Sequence, residues 1–496
     1  MGLPLGSQTS LSLLRLFYLT MRMKFLVHTA HRRQCIFKEE NMVAKRIVLL
    51  LDGTWNDADL GASDTNIVRM REIIARSLDV KSAIIPQGTN ALTASSDQKV
   101  VAGRTYQDLE HLVFYERGVG TGPLLDRIKG GSFGDGLAGN IRRAYKFLSF
   151  YYETGDQVFI FGFSRGAYTA RSLVGYVASA GLLKRDECTP ELESKAWNYY
   201  RTAPNDRMPG IWTELTPLVN DRNELRIDCL GVFDTVGALG VPLPEFYRIN
   251  RSRYEFHNVE LSSITNVNLH AVAIDEHREP FEATIWRKPK FKSFATITEQ
   301  VWFAGAHADI GGGYIDEEDR LQKHPQALDD LTLDWMFKRL IAYFPDFPFN
   351  ASCWKLITPD WAGASQHEPR KDIYKLMRRA LRSIANHRVP IKPWRYEIEV
   401  SRNRHDETIG EMIHASAIER LGQPVRGIPW RRKYEPRNLV SILDAIKNTY
   451  GMSENSETLD GNIRIVGWDG KPLDPTVDTD RLLASQFLNA ATQRLG

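Results

Sequence analysis

Val158-Phe159-Ile160-Phe161-Gly162-Phe163-Ser164-Arg165-Gly166-Ala167-Tyr168-Thr169-Ala170 is the stretch on which the fold turns. Its first four residues form an uninterrupted apolar run, as expected of a parallel strand buried on both faces. From Ala167 to Ala180 small residues recur at helical spacing, and Gly181 marks the stop. Between strand and helix stands G-x-S-x-G, Gly162 to Gly166. A serine at the tip of such a sharp strand-to-helix turn adopts a strained backbone, and flanking glycines avoid clashes with neighbouring elements. The string alone is weak. Its place between a buried strand and a helix makes Ser164 the candidate nucleophile.

Working outward, the same alternation recurs. Ile47 to Leu51 is another continuous apolar run, and Asn66 to Leu78 reads as a helix with Ile67, Met70, Ile73 and Ile74 on one side. A strand is expected around Leu112 to Tyr115, after a polar stretch from Gln87 to Gly103 that reads as a loop. Leu137, Ile141, Ala144, Leu148 and Tyr151 repeat at helical spacing. A mixed helical insertion over residues 183–222 precedes three more strands, Leu230 to Phe233, Leu269 to Ile274 and Val301 to Ala304, and a helix from Leu328 to Phe344. Alternating strands and helices predict an α/β-hydrolase-like fold: a mostly parallel sheet with helices on both faces, helical insertions and a C-terminal extension. Ligands bind such sheets beyond the carboxyl ends of the strands. The polar clusters of this chain fall there.

Serine needs a base to take its proton. His307 lies in Gly305-Ala306-His307-Ala308-Asp309-Ile310-Gly311-Gly312-Gly313, just after the last strand, and obeys the chain order Ser, acid, His; His414 is the rival. The orienting acid is left open between Asp234 and Asp275, each at a strand end. For an oxyanion, Arg165 supplies the N–H after the nucleophile, at a helix start whose dipole favours negative charge. A second donor is expected from Gly53 or Thr54, in Asp52-Gly53-Thr54-Trp55-Asn56 after the first strand, where a purely structural Asx turn at Asp52 is the plainer reading. This segment is not an aspartyl phosphohydrolase loop, because the required first aspartate is Leu50.

The bulk numbers exclude other classes. A net charge of +3 over 496 residues gives no global pull toward nucleic acid. Four scattered cysteines (Cys35, Cys188, Cys229, Cys353) make neither a zinc ribbon nor a disulfide framework, so a reducing, cytoplasmic setting is expected. Leu11 to Val27 is apolar but interrupted by Arg15, Arg22 and Lys24, which fits neither a spanning helix nor a signal peptide. Residues 1–41 therefore read as a loose extension, upstream of a start at Met42 or else resting on a membrane surface as a basic amphipathic segment. The catalytic domain is expected over 42–345. Residues 346–496 form a basic and aromatic region partly continuous with it.

The segments LLLDGTWND, GVGTG, GFSRGAYTAR, GVFDTVGALG, AIDEHREPF and WFAGAHADIGGGY, in this order, closely resemble the DUF2235 family, as do Ile413 to Ser416 and Tyr434 to Leu439. That family includes the catalytic part of the Tle1-type phospholipase effectors of the type VI secretion system. The resemblance covers about residues 45–440. It implies a Ser/Asp/His triad of Ser164, Asp234 and His307, favouring Asp234 over Asp275. It also implies an ester or lipid substrate, but membership does not by itself imply a secreted effector. Transient contact with a membrane surface is expected, and export without a signal peptide is the alternative to a cytoplasmic site.

Three other signals are set aside. Gly118 to Gly122 lacks the third glycine of a dinucleotide loop, which is Pro123, and no phosphate-binding lysine follows. His307 and Asp309 with Asp52 match no standard metal spacing. The C-terminal basic segments around Trp394 and Trp430 read first as a solvated or interdomain face and second as a lipid-surface contact. The expectation is a serine hydrolase that cleaves carboxylic esters through an acyl-enzyme, of lipase or phospholipase type, with no cofactor and no metal. The alternative is a non-catalytic hydrolase fold used as a binding or toxin-associated module.

Overall fold

The computed structural model describes residues 45–53, 64–78, 98–104, 109–118, 132–237, 261–288, 296–314, 327–349, 357, 359–370, 375, 377–385, 397–399, 408–428, 431–452 and 463–496. The expected extension at residues 1–41 lies outside them, as do Thr54, Val119 to Gly122, Trp394 and Trp430.

In the first half, β1 (Lys45–Leu51) and α1 (Asn66–Arg76) lead to β2 (Gln98–Arg104), β3 (Glu110–Glu116) and α2 (Ser132–Tyr151). Then β4 (Gln157–Phe163) runs straight into α3 (Arg165–Ala180), followed by the inserted helices α4 (Pro190–Arg201) and α5 (Pro209–Leu215). In the second half come β5 (Ile227–Phe233), β6 (Thr265–Ala273), β7 (Ile297–Phe303), α6 (His307–Gly311) and α7 (Leu328–Tyr343). The C-terminal part adds β8 (Arg379–Leu381), β9 (Glu397–Glu399), β10 (Glu411–His414), α8 (Ala415–Arg420), α9 (Arg437–Val440), α10 (Leu443–Thr449), β11 (Arg464–Val466) and α11 (Asp478–Leu495).

Nine strands form one sheet in the order β11-β10-β7-β6-β5-β4-β1-β3-β2. Every neighbouring pair is parallel except the edge pair β2–β3. This is the expected α/β architecture. Alternation along β1 shows why both faces need helices. Ile47, Leu49 and Leu51 pack with Ile141 and Ala144 of α2 and Ala170 and Leu173 of α3. Val48 and Leu50 pack with Ile67, Met70 and Ile74 of α1 and Leu331 and Trp335 of α7. A third core joins Val272, Trp302 and Ile413 to Leu439, Ile446 and Leu488 from α9, α10 and α11.

Three strands depart from the expectation for one physical reason. The stretch expected as a loop up to Gly103 contains β2, and the weakly periodic C-terminus contributes β10 and β11. These lie at or next to the sheet's edges and are short or polar, so they carry little of the hydrophobic signal of a central strand. β6 also begins earlier than expected, because Asn268 and His270 are buried polar residues inside it.

Register lines up the carboxyl ends that matter. Leu51 lies opposite Gly162, Phe163 opposite Phe233, and Ala273 opposite Phe303. Asp52, Ser164, Asp234 and the β7–α6 loop therefore emerge along one edge.

Candidate active site

Ser164 stands between β4 and α3 with φ 58° and ψ −120°. A non-glycine residue there carries on the order of 1–3 kcal/mol of backbone strain. Close packing fixes the turn. A Cβ on Gly166 would come within 2.1 Å of the Leu51 carbonyl oxygen, so β1 and the start of α3 approach only because that residue is glycine. The Ser164 N–H donates to Phe233 O at 3.1 Å, tying the turn to the end of β5.

The next strand end carries Asp234, also at positive φ (39°), whose N–H donates to Ala271 O of β6 at 2.7 Å. Two strands further on, β7 leads through Gly305 and Ala306 into α6, of which His307 is the first residue. The chain there runs back over β6, and three expected residues converge. His307 Nε2 is 2.7 Å from Ser164 Oγ, and His307 Nδ1 is 2.6 Å from Asp234 Oδ2. The rings of Phe163 and Phe281 lie 4.8 and 5.2 Å from the imidazole, centre to centre, and shield it from water.

Electrostatics suit proton transfer. Burial pushes the His307 imidazole below its ordinary value, and Asp234 recovers only part of that drop. The ring is therefore a neutral acceptor at neutral pH. Burial alone would raise Asp234, but Arg382 and His307 outweigh it and hold the carboxyl well below the usual range. Arg382 donates from Nη1 to Asp234 Oδ1 at 2.6 Å and from Nη2 to Oδ2 at 3.0 Å. Beside them Glu276 accepts from the His307 N–H at 3.3 Å and pairs twice with Arg278; burial opposes its charge, yet Arg278 brings it down to about 2.

Asp275, the alternative acid, does not contact the imidazole. Its Oδ2 accepts from Gly305 N–H at 2.8 Å and from Tyr434 Oη at 2.8 Å, and its Oδ1 from Arg431 at 3.1 Å. It fastens the loop that presents His307. His414, the rival base, bonds Ser416 Oγ at 2.8 Å at the start of α8 and stacks on Phe303; burial drops its imidazole to about 3.

The expected oxyanion donors fare differently. Arg165 opens α3, so its backbone N–H lies in the first helical turn beside Ser164. The N–H of Gly53 donates to Asp52 Oδ1 at 2.7 Å. The buried Asp52 carboxylate also takes the hydroxyls of Thr65 and Tyr115 at 2.9 Å, which anchors the end of β1 to β3 and to the start of α1. Among the described residues no group of three or more His, Cys, Asp or Glu side chains is placed to hold a metal ion. Asp309 accepts from the Ala306 N–H and pairs with His367 Nδ1 at 2.6 Å.

Sequence reasoning missed Arg382. It belongs to the C-terminal basic segments, read as a solvated or interdomain face with no part in the site, and its side chain is buried behind Asp234. The tyrosine and asparagine of Tyr434 to Leu439 carried the available signal. Tyr434 holds Asp275, and Asn438 Nδ2 donates to Ile274 O at 3.0 Å and to Arg382 O at 3.2 Å.

Among the described residues, no helix is long and apolar enough to cross a membrane. An uncharacterized protein of Saccharomyces cerevisiae, YEL023C, is 29% identical over 194 residues, which are 35% of this chain and 27% of that protein. A solved structure of an uncharacterized protein from Pseudomonas aeruginosa aligns with 69% of this chain and 51% of its own at 14% identity and a TM-score of 0.37. The Tle1 effector bound to the VgrG spike of the type 6 secretion system aligns with 55% of this chain and 52% of its own, at 19% identity and a TM-score of 0.26. This chain thus spans about a quarter of the yeast relative and about half of each solved chain. The family model for the catalytic domain of Tle1-like type VI secretion phospholipase effectors matches residues 45–339, the segment that carries Ser164, Asp234 and His307, and the chain belongs to that family.

Proposed function

We propose that this chain is a serine hydrolase that cleaves carboxylic esters of lipids, phospholipids foremost, through an acyl-enzyme. The observation that carries the reading is the unbroken relay from Ser164 Oγ through His307 to Asp234, with contacts of 2.7 and 2.6 Å at the carboxyl edge of a parallel sheet. Family membership supports the choice of substrate.

In this reading neutral His307 takes the Ser164 hydroxyl proton as Oγ attacks the acyl carbon. Asp234 keeps Nδ1 protonated and stabilises the imidazolium that forms. The Arg165 N–H, in the first turn of α3, faces the developing oxyanion with the helix dipole behind it. Collapse of the tetrahedral adduct expels the alcohol, which receives its proton from His307. Water, deprotonated by the same imidazole, then attacks the acyl-serine and releases the acid.

The test is hydrolysis of a short p-nitrophenyl ester and a fluorogenic phospholipid by the full chain and by Ser164→Ala, with fluorophosphonate labelling alongside. Turnover and labelling by the full chain, both lost in Ser164→Ala, support the reading, and the ratio of the two substrates separates lipase from simple esterase. A folded full chain that neither labels nor hydrolyses either ester rejects it.

A further inference from the structure

Arg382 lies 148 residues beyond Asp234 in sequence, yet its guanidinium is spent on the back of that carboxylate. Besides the two contacts to Asp234, Nη1 donates to Ala273 O at 2.9 Å and Nη2 to Phe281 O at 2.6 Å. The arginine thus bridges the end of β6, the Phe281 turn that shields His307, and the acid itself. Asn438 of α9 secures it from behind through the Arg382 carbonyl. Asp234 Oδ1 is further fixed by the Ala273 N–H at 2.9 Å, so Oδ2, which faces His307, is held in one plane.

Charges in this pocket balance in a particular way. Glu276 and Arg278 pair with each other, and His270, between Asp234 and Arg171, is kept neutral, with burial bringing it to about 3. Arg382 pairs with Asp234 from the side away from the imidazole, so the pull of the two buried carboxylates, Asp234 and Glu276, on a proton at His307 is weakened and burial keeps the ring neutral. Without Arg382 the acid would be a net buried anion, and His307 is the group placed to neutralise it by taking a proton.

We infer that Arg382 is a positioning residue for the relay: its fork orients the Asp234 carboxylate, and its charge keeps His307 in the neutral form that can accept the serine proton. The catalytic part of this inference rests on the Ser164–His307–Asp234 reading above. The effect on His307 titration does not.

The experiment uses the full chain with Arg382→Met and Arg382→Lys. His307 is followed by NMR of carbon-13 histidine-labelled protein, its signal assigned with His307→Gln, and the pH dependence of fluorophosphonate labelling is measured in parallel. In Arg382→Met the His307 titration and the acid limb of labelling should move to higher pH by about 1–2 units. Labelling near pH 6 should then fall roughly tenfold or more and recover toward about pH 9. Arg382→Lys keeps the charge but not the fork. Its titration should stay near the parent's while kcat falls about tenfold at unchanged KM.

A purely structural arginine would lower the yield of both variants and leave the titration of the folded protein where it was; that result overturns the inference. Parent-like kcat in Arg382→Lys overturns the orienting half, and decides the matter if Arg382→Met does not fold. Should the parent neither label nor turn over, the proposed function fails by itself, and the His307 titration still judges Arg382.

Discussion

Asp275 and Gly305 exchange two hydrogen bonds: the Asp275 N–H donates to Gly305 O at 2.9 Å, and the Gly305 N–H donates to Asp275 Oδ2 at 2.8 Å. Gly305 sits at φ +119°, where a side chain is strained, and its Cβ would meet Asp309 at 2.5 Å. The clasp sets where the chain leaves β7 and so where His307 arrives. Asp275 shapes the site without touching the imidazole.

That geometry separates the two acids by experiment. Asp234→Asn should lower kcat about 10³–10⁴-fold with the fold intact, because the imidazole loses the partner that fixes its tautomer. Asp275→Ala should instead cost about 2–3 kcal/mol of stability, through the unpaired Gly305 N–H and Tyr434 hydroxyl, and lower kcat far less. Urea unfolding and ester kinetics on the two variants check this. A larger kcat loss in Asp275→Ala would reverse the assignment.

Activity should persist to lower pH than an ordinary histidine base allows. The His307 imidazole is depressed by burial, so the acid limb of kcat/KM should lie below the roughly 6.5 of an ordinary imidazole. The base is active when deprotonated, so the limb descends toward acid. A pH–rate profile on a soluble ester reads it directly, and a limb above about pH 7 contradicts it.

Ser164 pays in backbone strain for its place at the tip of the turn. Ser164→Gly should remove activity and yet raise the melting temperature, since glycine reaches φ 58° without that penalty. The gain should be about 1 kcal/mol after the greater chain entropy of unfolded glycine is subtracted. Calorimetry of Ser164→Gly beside Ser164→Ala isolates the backbone contribution. Equal melting temperatures would mean the turn is unstrained.

Asp52 is pushed up to about 6 by burial, from an ordinary 3.8. A carboxyl raised in the folded state contributes stability that is fully present below pH 3.8 and lost as pH rises through about 6. Asp52→Asn removes that dependence. Its stability relative to the parent should therefore improve by on the order of 3 kcal/mol between about pH 4 and 7, whatever the offset from the altered Thr65 and Tyr115 contacts. Urea denaturation at the two pH values checks the sign, and a relative loss toward neutral pH would refute it.

The sequence by itself determined the central sheet and two of the three converging residues. Apolar runs such as Ile47 to Leu51 and Val158 to Phe161 declare buried parallel strands, because a strand covered on both faces must be apolar throughout. Gly162-Phe163-Ser164-Arg165-Gly166 declares its turn, because its conformation and its crowding against β1 depend on a few adjacent residues. His307 follows from chain order after the last strand recognised in the sequence. The choice between Asp234 and Asp275 came from resemblance, since both are aspartates at strand ends and the residues around them did not separate them. Only the tertiary structure decided which one reaches the imidazole. That depends on β5 lying next to β4, and on the β7–α6 loop folding back across β6 while Asp275 holds its base. Arg382 lay beyond sequence reading for the same reason. A basic residue in a basic stretch has the local pattern of a solvated face, and only packing between distant segments put its charge against Asp234.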